Sequence, residues 1–209
     1  MRKSYNLFAG GSLERIAALS DGLFAIAMTL IVLEIRVPAH TPIHGEAQLW
    51  GALVGLAPRF VTYLLSFLTL GIFWVGQQTQ LNHFERADRN LAWIHLAFLA
   101  VVSLMPFSTS LLAEFITFRL ALVVYWLNIV LLGATLFASW TYARAAGLVR
   151  ADVPTEVASA MRRRIVIAQT LYAVGAALCV FGTTWSIAFI VLLQLNYAIA
   201  PNIPWLRRL

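Results

Sequence analysis

Apolar residues run along this chain in six long stretches separated by short polar segments. Each stretch comes near the ~20 residues a helix needs to cross ~30 Å of hydrocarbon. The pattern therefore predicts spans at about Arg15–Val37, Leu49–Gly76, Leu91–Ala113, Arg119–Ala143, Ile165–Thr183 and Trp185–Ala200. The last two are joined by the tight turn "FGTTWS", and the sixth is short, stopping at Pro201 and Pro204. No internal repeat suggests the inverted halves of a carrier. The pattern predicts an all-α membrane protein of six transmembrane helices, with residues 1–209 forming a single domain.

Composition agrees with the pattern. Of 209 residues 61% are hydrophobic and 11% charged, and the mean hydropathy is +0.80, which belongs to integral membrane proteins rather than soluble ones. The net charge of +6 changes the picture only once the basic residues are located. With the amino terminus in the cytoplasm, Arg2, Lys3, Arg15, Arg86, Arg89, Arg144, Arg150, Arg162, Arg163, Arg164, Arg207 and Arg208 fall inside, leaving Arg36, Arg59 and Arg119 outside. That asymmetry is the one expected of an even number of spans with both termini cytoplasmic. It accounts for the basic balance by topology and argues against a nucleic-acid partner. The single cysteine, Cys179, lies in an apolar run, so no disulfide framework or thiolate metal site is expected within one chain. The opening segment "MRKSYNLFAGGSLER" lacks the apolar core of a cleavable signal, so the first span is expected to direct insertion.

The first span carries the candidate chemistry. At 100° per residue, Ile26, Thr29, Leu30 and Leu33 share one stripe, with Gly22 continuing it towards the cytoplasm. In an ordinary span such a stripe packs against a neighbouring helix, and a lone Thr29 bonds back to its own carbonyls. Asp21 is harder to place, because an ionisable residue at a membrane boundary costs a few kcal/mol unless it meets partners or water. It is expected to face the bundle interior. Arg15 lies six residues away on a different face, so the partners must come from elsewhere: Trp74, Gln77, Asn82, His83 and Asp88 stand at the same level. His83 reads as a hydrogen-bonding group. Its spacing to His40, His44 and His95 matches no usual metal site. Pro106 is expected to kink the third span, with Ser103, Ser108 and Thr109 satisfying the freed carbonyls. Arg59 is expected to pair with Glu34 or Glu46. Finally, "VPTEVASAMRRR" reads as a cytoplasmic helical lead-in to the fifth span, held near anionic lipid heads by its arginines.

These residues carry a resemblance. "RIAALSDGLFAIAMTLIVLEI" resembles the first-helix signature R-x-x-x-F-S-D-G/A of the transmembrane protein 175 family, the lysosomal potassium channel and its bacterial relatives. The match is Arg15, Ser20, Asp21 and Gly22, with Leu19 in place of phenylalanine. "LNHFERADRNLAWIHLAFLAVVSLMPFST" is similar to the family's His-Phe element, followed by a span ending in Pro106, Phe107 and Thr109. Six spans in about 200 residues also fit the bacterial members.

The resemblance implies a non-canonical homotetrameric cation channel whose four first helices line a central pore. It puts Ile26 at a hydrophobic constriction, Thr29 in a hydroxyl layer linked to potassium preference, and Leu30 and Leu33 in the apolar lining beyond. It makes Arg15, Ser20, Asp21, Gly22 and His83 a structural network holding the pore helix. No segment resembles the "TVGYG" carbonyl filter, so selectivity is expected to be weak. The implied partners are permeating potassium ions, the bilayer and copies of the same chain; no cofactor and no metal site are expected, and the location is the cell inner (plasma) membrane. The alternative is a proton-coupled small-solute secondary carrier, which would also use a membrane aspartate but needs broken helices in matching halves. An enzyme would need a nucleophile with a base, or clustered metal ligands, at one bilayer level, and the sequence offers neither.

Overall fold

The computed structural model describes residues 12–36 and 43–199, and every element in them is helical apart from one isolated β-bridge. The far end of the first predicted span, the end of the sixth at Ala200, both termini with their basic residues, His40 and the prolines at 201 and 204 lie outside the described residues. Helix α1 runs Leu13–Leu30 and tightens into a 3-10 turn at Ile31–Glu34. Ser12 caps its start by accepting from the Arg15 amide at 3.2 Å.

The second predicted span breaks in two. Helix α2 occupies Glu46–Val54, buries none of its residues, and stops at Gly55; α3 then runs Ala57–Leu81. Pro58 explains the boundary, since it lacks the amide a continuous helix would need there yet fits a first turn. The helix also runs five residues past the expected Gly76, because Gln77 and Gln80 bury their amides against neighbouring helices.

Helix α4 (Arg89–Ser103) is capped by Asp88, which accepts from the Leu91 amide at 2.8 Å, and α5 (Met105–Glu114) continues it after Leu104. The third span is thus bent at Pro106, but the expected hydroxyls do not repair the bend. Ser103 bonds back to Ala100, and Ser108 and Thr109 both bond to Met105. Asn128 reaches across instead. With its amide oriented to suit both neighbours, it donates to the Val101 carbonyl at 3.2 Å and accepts from the Met105 amide at 3.3 Å.

Helix α6 (Arg119–Ala145) contributes that asparagine and ends in a Schellman motif. Gly147 takes φ +66°, its amide donates to Arg144, and the Leu148 amide donates to Ala143. Helix α7 (Thr155–Ala177, with a 3-10 turn at Leu178–Val180) begins ten residues before the expected span, so the lead-in and the span are one continuous helix. Helix α8 covers Thr183–Ile199.

Packing follows the short connections: α4 lies on α6, α6 on α7, α7 on α8, while α3 meets α1, α5 and α8. Five described helical segments are long and apolar enough to cross a bilayer, namely Leu13–Glu34, Ala57–Leu81, Arg89–Glu114, Arg119–Ala145 and Thr155–Val180; Thr183–Ile199 is apolar but shorter. One core joins Phe24, Leu65, Phe98, Leu112, Tyr125 and Ile190. A second gathers Ile16, Leu81, Phe84, Leu91, Trp140 and Leu148 at the end of the bundle where the Phe84 and Val149 loops bridge. Beyond the opposite end of α1, Arg59 pairs with Glu114 at 2.6 Å and donates to the backbone carbonyl of Glu34 at 3.1 Å. The acid neutralising Arg59 is therefore Glu114 of the third span. The Glu34 contribution is its carbonyl, so that the arginine ties the end of the first span to α3 and α5.

Candidate functional site

Helix α1 divides lengthwise into two faces. Ile16, Ser20, Phe24, Ala27 and Ile31 are buried, at the three- and four-residue spacing of one helical side. Phe24 tilts against Phe98 of α4 with ring centroids 5.9 Å apart. Closer to the Ile31 end, the Met28 methyl lies 3.7 Å from where a Gly71 Cβ would stand, so the missing side chain lets α1 approach α3. The opposite face carries Leu19, Gly22, Ile26, Thr29, Leu30 and Leu33, all exposed. Ile26 is 56% and Leu33 66% open, and a Cβ built on Gly22 would meet nothing within 4 Å. In this span 22% of the apolar stretch is buried, as in Thr155–Val180, against 39% for Ala57–Leu81 and 44% for Arg89–Glu114 and for α6. The helix stands at the subunit edge.

A chain of buried polar groups holds it there. Ser20 donates to the Ile16 carbonyl at 2.8 Å and accepts from the Gln77 amide of α3, also at 2.8 Å. Gln77 lies 3.2 Å from Nδ1 of His95 on α4, and Nε2 of that ring lies 3.2 Å from the Ser139 hydroxyl on α6. A Gln77 amide that donates to Nδ1 leaves the ring proton on Nε2, directed at Ser139. Four helices are joined at one level by groups with almost no exposure.

The neighbouring Asp21 behaves differently. It is exposed on the subunit, contrary to the expectation that it turns inwards. Its carboxylate folds sideways onto α3, where Oδ1 accepts from Trp74 Nε1 and from Gln78 Nε2, each at 2.7 Å. These donors are neutral and one turn apart, so the acid is held by hydrogen bonds rather than by an ion pair. Arg15 is exposed, with no hydrogen bond or ion pair from its guanidinium among the described residues. His83 is also elsewhere. Its Nδ1 lies 2.6 Å from the Thr79 carbonyl and its ring meets the edge of Trp140 at 6.2 Å. The five residues grouped by sequence are thus separated: Ser20 inside, Asp21 against α3, Gly22 outward, Arg15 and His83 apart from both. Gln77, Gln78, His95 and Ser139 complete the network. A histidine within an apolar stretch, and amides in the last turns of a membrane-length helix, were the signals for three of these.

Thr29 donates to the carbonyls of Ala25 and Ile26, both at 2.9 Å. Its proton is committed to its own helix, which leaves the oxygen able to offer only lone pairs to whatever lies beyond the exposed face. Among the described residues no three His, Cys, Asp or Glu side chains gather as a metal site.

Helix α1 thus has an apolar outer stripe and a polar-stitched inner face, and comparison with known proteins identifies the family. The family model described as "Endosomal/lysosomal potassium channel TMEM175" matches residues 15–106. A potassium channel of Streptomyces collinus is 34% identical over 190 residues, covering 88% of this chain and 90% of that protein. The chain belongs to the TMEM175 family. The crystal structure of a lysosomal potassium-selective TMEM175 homologue from Chamaesiphon minutus superposes with a TM-score of 0.79 at 29% identity, covering 91% of this chain and 98% of that one. The human endosomal/lysosomal proton channel TMEM175 is 33% identical over 108 residues, which are 49% of this chain and 21% of that protein. TMEM175 proteins are ion channels rather than enzymes, and this member is a multi-pass membrane protein. The family-model match runs from α1 through α4 to Pro106 at the start of α5, and so takes in the elements that contribute Ser20, Asp21, Trp74, Gln77 and His95.

Proposed function

We propose that this chain is a potassium-permeable, weakly selective cation channel of the inner (plasma) membrane, formed by four copies whose α1 helices line a central pore. The reading rests on one observation: α1, tied to its own subunit through Ser20 and Asp21, leaves the Ile26, Leu30 and Leu33 stripe of its opposite face exposed. Four copies of Ile26 around an axis make a constriction too apolar to hold water when closed, and Leu30 and Leu33 continue it. Thr29 supplies the hydroxyl layer. Because its proton points to its own helix, four such oxygens present acceptors to the axis, the polarity a cation requires. The Ser20 and Asp21 contacts hold α1 against its own subunit, and Gly22 keeps the stripe narrow. In this reading α8 is the sixth span and both termini are cytoplasmic.

The test is reconstitution into liposomes with potassium and sodium flux measured in parallel. A channel passes potassium down its gradient alone, exceeding sodium by a modest factor. Flux that requires a second, opposing gradient would instead indicate a carrier, and absence of flux from correctly assembled protein would refute the proposal.

A further inference from the structure

Three apolar spans reach their ends around one cavity of about 300 Å3. Leu13–Glu34 and Arg89–Glu114 finish beside it and Ala57–Leu81 begins there, which puts it at the depth of the lipid headgroups. Its rim carries two acids and two bases, Glu34 and Glu114 with Arg36 and Arg59. One terminal nitrogen of Arg59 meets Glu114 at 2.6 Å and the other donates to the Glu34 backbone carbonyl at 3.1 Å. The ion pairs among the described residues are Arg59 with Glu114 and Arg150 with Asp152, so the Glu34 carboxylate and the Arg36 guanidinium both line the cavity outside any such pair. Below the rim the wall turns apolar. Phe107, Ser110, Leu111 and Glu114 share one face of α5 at three- and four-residue spacing, so the lining passes from a carboxylate to a leucine, a hydroxyl and a phenyl ring as the helix runs back into the bilayer.

We propose that this cavity binds a zwitterionic phospholipid with a primary amine, of the phosphatidylethanolamine class. Charge selects the headgroup. The four rim charges cancel, so a net anion would add its charge beside two carboxylates and a bare cation beside two guanidiniums, whereas a zwitterion preserves the balance. The ammonium is received by the Glu34 carboxylate and the second oxygen of Glu114, and the phosphate by the fork of Arg36. A primary amine fits better than a quaternary one because it donates hydrogen bonds to those carboxylates. The apolar wall selects a lipid over a free zwitterion, since Leu111 and the exposed ring of Phe107 give an acyl chain a surface to lie along. The site is distinct from the α1 stripe and stands whether or not the stripe conducts.

The experiment is native mass spectrometry of the purified channel in detergent, titrated separately with phosphatidylethanolamine, phosphatidylcholine and phosphatidylglycerol of the same chains. Wild type retains phosphatidylethanolamine in preference. Glu34→Gln and Arg36→Gln each lower that retention roughly tenfold, the loss expected of one hydrogen bond to a charged group. Both leave the Arg59 and Glu114 pair in place, so the fold at this end is kept. Asp152→Asn, which removes a carboxylate at the opposite end of the bundle, leaves retention near wild type. Glycerophosphoethanolamine, the same headgroup without chains, leaves the lipid bound even in large excess. The proposal is overturned if phosphatidylcholine or phosphatidylglycerol is retained as strongly as phosphatidylethanolamine, if either Glu34→Gln or Arg36→Gln binds like wild type, or if the chainless headgroup displaces the lipid.

Discussion

The two long faces of α1 have similar side chains and opposite surroundings. Phe24, Ala27 and Ile31 on one side are closed off by α3, α4 and α5, while Ile26, Leu30 and Leu33 on the other stay 45–66% exposed. Hydropathy does not distinguish them, since both are apolar enough for a bilayer. What distinguishes them is the polar chemistry beside each. The covered face has Ser20, whose hydroxyl is used twice and leads into Gln77, His95 and Ser139. The open face has Thr29, whose hydroxyl turns back on its own backbone and binds no other helix. In a bilayer, lipid tails are as apolar as leucine, so helices are held by close packing and such hydrogen bonds rather than by exclusion of water. A face with neither is built to meet something other than its own fold.

That contrast can be broken from either side. The largest effect on stability is expected from Phe24→Ala, since the residue is 2% exposed and its ring packs, tilted, against Phe98. A cavity term of about 24 cal/mol per Å3 over the roughly 100 Å3 of a deleted ring gives about 2 kcal/mol, even without a water-transfer contribution. Thermal unfolding of the purified protein would show it as a clear loss of melting temperature. A smaller loss is expected from Gln77→Leu, which severs Ser20 from His95; buried interhelical hydrogen bonds in membrane proteins contribute roughly 1 kcal/mol each. The same melting assay, with Ser139→Ala as a second cut in the chain, measures whether the network acts as a unit. Least is expected from Thr29→Val, whose bonds are all within its own helix. Melting should be unchanged, while the ratio of potassium to sodium flux falls. A destabilised protein with an unchanged ratio would assign Thr29 to packing.

Much of this was legible in the chain because a bilayer allows few solutions. Length and apolarity located the first, third and fourth spans within a few residues of the observed segments, and the stripe from Gly22 to Leu33 was readable from the 3.6-residue period alone. What failed depended on contacts between elements. The break before Pro58 was hidden in a continuous apolar run, and the fifth helix begins ten residues early because polar residues extend a helix as readily as apolar ones. Asp21 was assigned to the interior on the cost of burying charge, but two neutral donors on the surface of α3 answer that cost without burial. Glu114 as the partner of Arg59 and Asn128 at the Pro106 bend are meetings of distant residues that no local spacing encodes. His83 drew notice for its neighbour Phe84, yet the ring inside the polar chain is His95.

The central claim is that the uncovered face of α1 lines the ion path, and Ile26→Ala tests it most directly. Ile26 is 56% exposed in its own subunit, so truncation removes little intrasubunit packing and should leave the monomer fold intact. The measurement is potassium flux per correctly assembled channel in liposomes, wild type against Ile26→Ala, with assembly read by elution volume. If four isoleucines form the constriction, the smaller side chain widens and wets it, and flux per channel rises. An unchanged flux per channel together with a reduced yield of assembled protein would show that this face packs against another helix and does not line the pore.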